Sequence, residues 1–345
     1  MTEPILLTNL AYDELQSWVV AQGEPAFRAR QLFEWIYRSL AADFAAMTNL
    51  PLTLRQKLAD LTIIQSLTPL DSVTSAEGLT TKVLLQLRDD ETIESVLMRY
   101  EGRQSVCISS QVGCALGCPF CATGQGGFKR NLIPGEIVEQ VLYFARQLQA
   151  QSLPITNVVL MGMGEPLANY DATWHAIRIL NDPRGFKLGA RRFTLSTAGM
   201  VPGIQRMAHE GLEVGLAVSL HAANDALRNR LVPLNKRYPL FKLIAACREY
   251  VESTGRRISF EYALIQGVND DPKQARELGQ LLRGLLCHVN LIPLNPTADC
   301  DFGPASRDRI MAFRRELNNT GIPNTVRLGR GAAIQAGCGQ LRSRS

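Results

Sequence analysis

The strongest constraint on this chain is a change of pattern near residue 105. From there on, short apolar runs alternate with longer amphipathic ones. Strand-like runs fall at residues 106–109, 158–161, 192–196, 214–219, 258–264 and 289–294, with a further short one at 325–328. Helix-like segments separate them. Residues 134–149, for example, open on Pro134, which suits a first helical turn. Parallel neighbours need a crossover, and a helix supplies it, so the alternation predicts an α/β parallel sheet, open or curled into a barrel.

Ahead of this repeat, residues 1–75 read as a helical accessory domain that recruits a substrate. Leu15, Trp18 and Val19 share one face. Leu32, Phe33, Ile36 and Tyr37 form a second stripe behind the basic pair Arg28 and Arg30, and a third helix is expected after Pro51. Residues 76–104 are expected to form a linking hairpin that turns at Asp89, Asp90 and Glu91. Residues 105–345 then hold the core and a glycine-rich, basic C-terminal extension. A net charge of +5 permits a nucleic-acid partner without demanding one. No signal-peptide pattern opens the chain, and no apolar stretch reaches the ~20 residues of a membrane helix. Eight cysteines in 345 residues are no disulfide framework. These features predict a cytoplasmic protein away from membranes, with a monomer as the default, whose thiols bind metal, react or pack.

Three of those thiols fall on one tight loop after the first strand: Cys114, Cys118 and Cys121, a C-x3-C-x2-C pattern. A structural zinc site uses four protein ligands, and an ordinary four-iron cluster takes four thiolates. Three thiolates on a [4Fe-4S] cluster leave one iron open for another ligand. Polar motifs follow the other strands. Gly162-Met163-Gly164-Glu165-Pro166 follows the second and Ser196-Thr197-Ala198-Gly199 the third. Ser219-Leu220-His221 follows the fourth and Asn295-Pro296 the sixth. Function in parallel folds gathers at the C-terminal ends of strands, so these loops predict one shared site. Glycines let the backbone approach a ligand, and Glu165 suits an amine. Taken singly, Ser196 and Asn295 read as turn residues and His221 as a core histidine.

Two thiols lie outside the cluster loop. Cys107 is at the end of the first strand. Cys338 sits between Gly337 and Gly339, where Arg327, Arg330 and Arg342 are expected to lower its pKa. Cys247 reads as a helix core position, and Cys287 and Cys300 carry no local signal. Lys129, Arg130, Arg184, Lys187, Arg191 and Arg192 are candidates for phosphate contacts or for an ordinary solvated surface.

Several segments together resemble the RlmN/Cfr family of radical S-adenosylmethionine (SAM) RNA methyltransferases, nearer its RlmN branch. They are Ile93 to Val96, Cys107 to Cys114, Cys118 to Gly124, Gly126 to Leu132, Met161 to Pro166 and Leu195 to Gly199. Ser219 to Ala222, Leu291 to Asn295, Ala336 to Gln340 and the start around Arg28 to Leu32 complete the set. The resemblance implies a radical SAM partial (β/α)6 barrel with an N-terminal helical domain. It implies one [4Fe-4S] cluster on Cys114, Cys118 and Cys121, and SAM held by Gly164, Glu165, Ser196, Ser219, Leu220, His221 and Asn295. Two SAM molecules are consumed per turnover, and flavodoxin or ferredoxin supplies the electron. The substrates implied are adenine 2503 of 23S rRNA and adenine 37 of tRNA, methylated at C2. Cys338 is then the S-methylcysteine intermediate. Cys107 is the resolving thiol and acts as a thiolate, through a transient disulfide with Cys338. Glu94 is the proton acceptor, with Glu91 as the neighbouring alternative. Other readings remain open from the residues: a C8-directed Cfr-like enzyme, a radical SAM activating or sulfur-inserting enzyme, or a zinc-stabilised RNA-binding protein.

Overall fold

The computed structural model describes residues 4–297, 300–327 and 329–343. After a short strand, Ile5–Leu6, and a turn come three helices: α1 (Tyr12–Ala21), α2 (Phe27–Tyr37) and α3 (Leu52–Leu61). Leu15, Leu32, Phe33 and Ile36 are fully buried, so the predicted stripes do face inward. Tyr12 meets the Phe33 ring edge-on at 5.4 Å. Residues 68–74 depart from the helical expectation. They form β1 (Thr68–Thr74), exposed along its whole length at the edge of the main sheet. An edge strand exposed on both faces has no hydrophobic alternation to reveal it.

β1 pairs antiparallel with β2 (Thr80–Gln86), β2 with β3 (Thr92–Tyr100), and β3 with β4 (Arg103–Cys107). The expected hairpin is thus continuous with the main sheet. From β4 the strands run parallel: β5 (Asn157–Leu160), β6 (Phe193–Thr197), β7 (Gly215–Ser219), β8 (Ile258–Leu264), β9 (Cys287–Pro293) and β10 (Asn324–Val326). Leu328, read as the end of the last strand, lies outside the described residues. Each strand lies beside its predecessor in a ten-stranded sheet, and its two edges, β1 and β10, do not pair with each other among the described residues. Parallel crossovers are right-handed, and here every step moves the same way. That rule gathers the connecting helices on one face of the sheet.

Helix α4 (Pro134–Gln149) makes the first crossover at the predicted bounds. Its Glu139 anchors the N-terminal region to the core. The buried carboxylate accepts from Thr8 Oγ1 (2.9 Å), Ser66 N (2.7 Å), Ser66 Oγ (3.0 Å) and Leu67 N (3.2 Å). Four donors offset part of the cost of burying the charge, and burial still raises the carboxyl to about 7. Among the described residues no helix is long and apolar enough to cross a membrane.

Candidate active site

The cluster loop hangs between two short antiparallel strands, Gln111–Gly113 and Phe128–Asn131. Cys114 N donates to Gly127 O at 2.7 Å, and Cys121 N to Cys118 O at 3.1 Å. These bonds fold the loop so that Cys114, Cys118 and Cys121 all line one cavity of about 1110 Å3, counting its open mouth. Burial pushes the Cys114 thiol up to about 12 and raises Cys118 further. Iron in place of the protons removes that penalty. A structural zinc site takes four protein ligands, whereas three thiolates suit a four-iron cluster with one open iron. The donor set fits a [4Fe-4S] cluster.

The same cavity is lined by Gly164, Glu165, Ser196, Ser219, His221 and Asn295. Leu220 lies between two of these with its side chain in the core. Gly164 has φ +97°, and a Cβ there would fall 2.6 Å from Gln111 Cβ, so only glycine fits. Glu165 is buried. Its Oε2 accepts from Ala198 N (2.7 Å) and its Oε1 from Leu167 N (3.1 Å). Burial outweighs these bonds and raises its carboxyl to about 7. His221 adopts φ +59° and accepts from Ala263 N at Nδ1 (3.0 Å), leaving any proton on Nε2. Burial first, and then Arg228, depress it to about 3, so it is neutral. Its ring meets Phe120, between two cluster cysteines, edge-on at 5.0 Å.

Cys107 faces a second cavity, together with Tyr100, Arg103, Arg327 and Arg330. Cys338 lines both cavities, as do Met161, Ile292, Asn295 and Leu341. The Cys338 segment docks on the cluster loop through Ala122 N to Gly339 O (2.8 Å) and Thr123 Oγ1 to Leu341 O (2.5 Å). Asn295 Nδ2 donates to Cys338 O at 3.1 Å. Both thiols are free.

Two expectations about these thiols need correction. Cys338 is exposed between its glycines, yet the protein crowding its sulfur shifts the pKa up, not down, with Arg327 offsetting part of that. Arg330 is engaged elsewhere, donating to Arg99 O at 2.7 Å and lying 4.2 Å over the Tyr100 ring. Cys107, expected as a thiolate, is pushed up to about 12 by burial and by the neighbouring Cys338.

Glu94 is fully buried on β3 and lines neither cavity. It pairs with Lys82 of β2 (Nζ to Oε1, 3.0 Å) and accepts from Arg342 N at Oε2 (3.0 Å). Lys82 also donates to Gln335 O at 3.1 Å. One buried ion pair therefore grips both ends of the Cys338 segment. Glu91 sits at the hairpin turn, 3.8 Å from Lys129. Four candidate phosphate ligands are ion-paired: Lys129 with Glu91, Arg130 with Asp89 and Glu136, Arg184 with Asp182 and Asp13, and Arg191 with Glu213. Arg103, Arg327 and Arg330 instead line the cavity that Cys107 faces. Arg103 was overlooked in the sequence, although its spacing from Tyr100 across a turn was readable.

Known proteins agree with this geometry. Residues 5–64 match the family model for the ribosomal RNA large subunit methyltransferase N-terminal domain, and residues 108–278 match the radical SAM superfamily. A probable dual-specificity RNA methyltransferase RlmN from Geobacillus kaustophilus is 47% identical over 99% of this chain and 94% of its own length. One from Chloroflexus aurantiacus is 49% identical over 96% and 89%. The crystal structure of a radical SAM methyltransferase from Sphaerobacter thermophilus superposes with TM-score 0.97 at 55% identity, covering 98% of this chain and 99% of that one. With both family models matched in order and relatives alike over nearly its whole length, the chain belongs to the RlmN family of radical SAM RNA methyltransferases.

Proposed function

We propose that the protein methylates adenine C2 in RNA, at adenine 2503 of 23S rRNA and adenine 37 of tRNA, with Cys338 carrying the methyl group between two cavities. The observation that carries this reading is their shared wall. Cys338 is reachable from the side of the cluster cysteines and from the side of Cys107. A relay answers a chemical mismatch, since a sulfonium methyl and adenine C2 are both electron-poor. Arg103, Arg327 and Arg330 give the second cavity a cationic wall suited to an RNA backbone.

In this reading Cys338 Sγ gives up its proton and attacks the methyl of a first SAM, releasing S-adenosylhomocysteine and becoming a thioether. A cluster held by Cys114, Cys118 and Cys121 would supply the single electron that splits a second SAM into methionine and a 5′-deoxyadenosyl radical. The S-methyl group gives that radical a hydrogen atom, and the carbon left on Cys338 bonds to C2. Glu94 takes the C2 proton as the adduct gives back one electron. Cys107 sulfur then bonds to Cys338 sulfur. The S–C bond breaks toward carbon, which takes up a proton as the finished methyl group. The resulting disulfide needs an external reductant, and ferredoxin or flavodoxin suits the priming electron. Because Glu94 lines neither cavity, its role requires the 335–342 segment to move off it.

The test is mass spectrometry of nucleosides from 23S rRNA and tRNA after incubation with reconstituted protein, SAM and reductant. The expected product is 2-methyladenosine from both. A C8-methylated product, or none at full iron content, overturns the proposal.

A further inference from the structure

Arg228, on the helix Asp225–Leu231, is the largest fully buried side chain of the described residues, at 0% exposure. A buried guanidinium ordinarily has a carboxylate partner. Here it bonds to neutral groups instead. Nε donates to Leu220 O (3.1 Å), and the terminal nitrogens donate to Asn235 Oδ1 (2.8 Å), Ala198 O (2.6 Å) and Ser219 O (3.2 Å). Among the described residues no carboxylate lies within ion-pair distance. Asp225 is joined only through Asn235, whose Nδ2 donates to Asp225 Oδ1 at 2.8 Å.

The three carbonyls it holds belong to the ends of β6 and β7, beside Ser196 and His221 on the wall of the first cavity. Ala198 packs in one apolar cluster with Cys118 and Phe120, together with Leu227 and Leu231, which flank Arg228 on its helix. Electrostatics agree with that placement. Burial lowers the guanidinium to about 10, and Cys118 is the largest influence opposing that shift.

We propose that Arg228 is the built-in counter-charge of the anionic cluster and the brace that fixes the strand ends around SAM. The inference rests on the three thiols holding a cluster. A buried cation without a carboxylate is costly until an anion arrives, and three thiolates with their cluster supply one. In a poorly screened interior the same charge favours the reduced, more negative state of the cluster, and net charge nearby is one determinant of cluster potential. Arg228 is therefore a positioning residue that also raises the cluster's reduction potential. Its fork-shaped fit to carbonyls of two neighbouring strands is a task lysine cannot copy.

The test begins with iron and sulfide content of the reconstituted wild-type protein, which checks the cluster reading alone. Midpoint potentials are then measured by spectroscopic redox titration in Arg228→Gln, in Arg228→Lys and in the exchange Asn235→Asp with Asp225→Asn. The exchange moves a carboxylate against the guanidinium without altering total charge. The expected result is a more negative potential in Arg228→Gln and in the exchange, a potential close to wild type in Arg228→Lys, and weaker SAM binding in both Arg228 variants. A wild-type potential in Arg228→Gln at full iron content overturns the proposal. Where that variant does not fold, a wild-type potential in the exchange does so.

Discussion

Replacing Lys82 with Met should separate the cost of a lost ion pair from that of a lost side chain. Lys82 and Glu94 lie on adjacent strands, at 4% and 1% exposure, with 3.0 Å between Nζ and Oε1. Methionine fills much of the lysine volume, so packing changes little. What is lost is the Lys82 cation beside a buried carboxylate, a loss of up to about 3–5 kcal/mol. Glu94→Gln on top of Lys82→Met removes that buried charge. The double variant is therefore expected to be more stable than Lys82→Met alone, by about 2 kcal/mol or more. Urea unfolding at pH 7 followed by circular dichroism reads both. Because Lys82 also holds Gln335 O, and Glu94 holds Arg342 N, Lys82→Met should speed alkylation of Cys338. Additive costs for the two substitutions, together with unchanged Cys338 reactivity, would refute the claim that this pair latches the segment.

Three further outcomes follow from the site. With the Glu165 carboxyl raised to about 7 by burial, the ionised acceptor is lost as pH falls below 7. SAM affinity measured by calorimetry should therefore drop toward pH 5.5, by up to about tenfold per unit; a profile unchanged in Glu165→Gln would remove Glu165 from SAM binding. Gly164→Ala forces a residue with a side chain into φ +97° and against Gln111, a strain of about 1–3 kcal/mol. Methyl loading of Cys338 should fall at least tenfold, and normal loading would mean that this loop does not approach SAM. Cys107→Ala should accumulate RNA covalently bound to Cys338, visible as a slow band on a denaturing gel, whereas free turnover would exclude Cys107 as the resolving thiol.

The parallel core was legible because its strand and helix periods are strong and its repeat is local. Cys114, Cys118 and Cys121 were legible because their spacing states the chemistry without tertiary information. β1 was not, since an edge strand containing Pro69 and exposed on both faces shows no alternation. The state of Cys338 was misread for a different reason. Counting nearby arginines ignored Arg330's engagement with Arg99, distant in sequence, and ignored desolvation. Nothing in the local sequence sets Lys82 or Arg228 apart from other cations. Lys82 reaches across 253 positions to Gln335, and the role of Arg228 depends on strand ends that only the folded sheet brings together. Chemistry fixed by local spacing is readable, whereas buried charge is defined by distant partners.

The central claim, that Cys338 is the carrier between two cavities, is tested most directly by isotope tracing. The protein is loaded with a CD3 group on Cys338 and run through one turnover on RNA with unlabelled SAM. The account predicts 2-methyladenosine carrying two deuterium atoms, with the third in 5′-deoxyadenosine, because one hydrogen leaves as an atom and its replacement comes from solvent. A product methyl with no deuterium would contradict the relay, and one with all three would contradict the radical step.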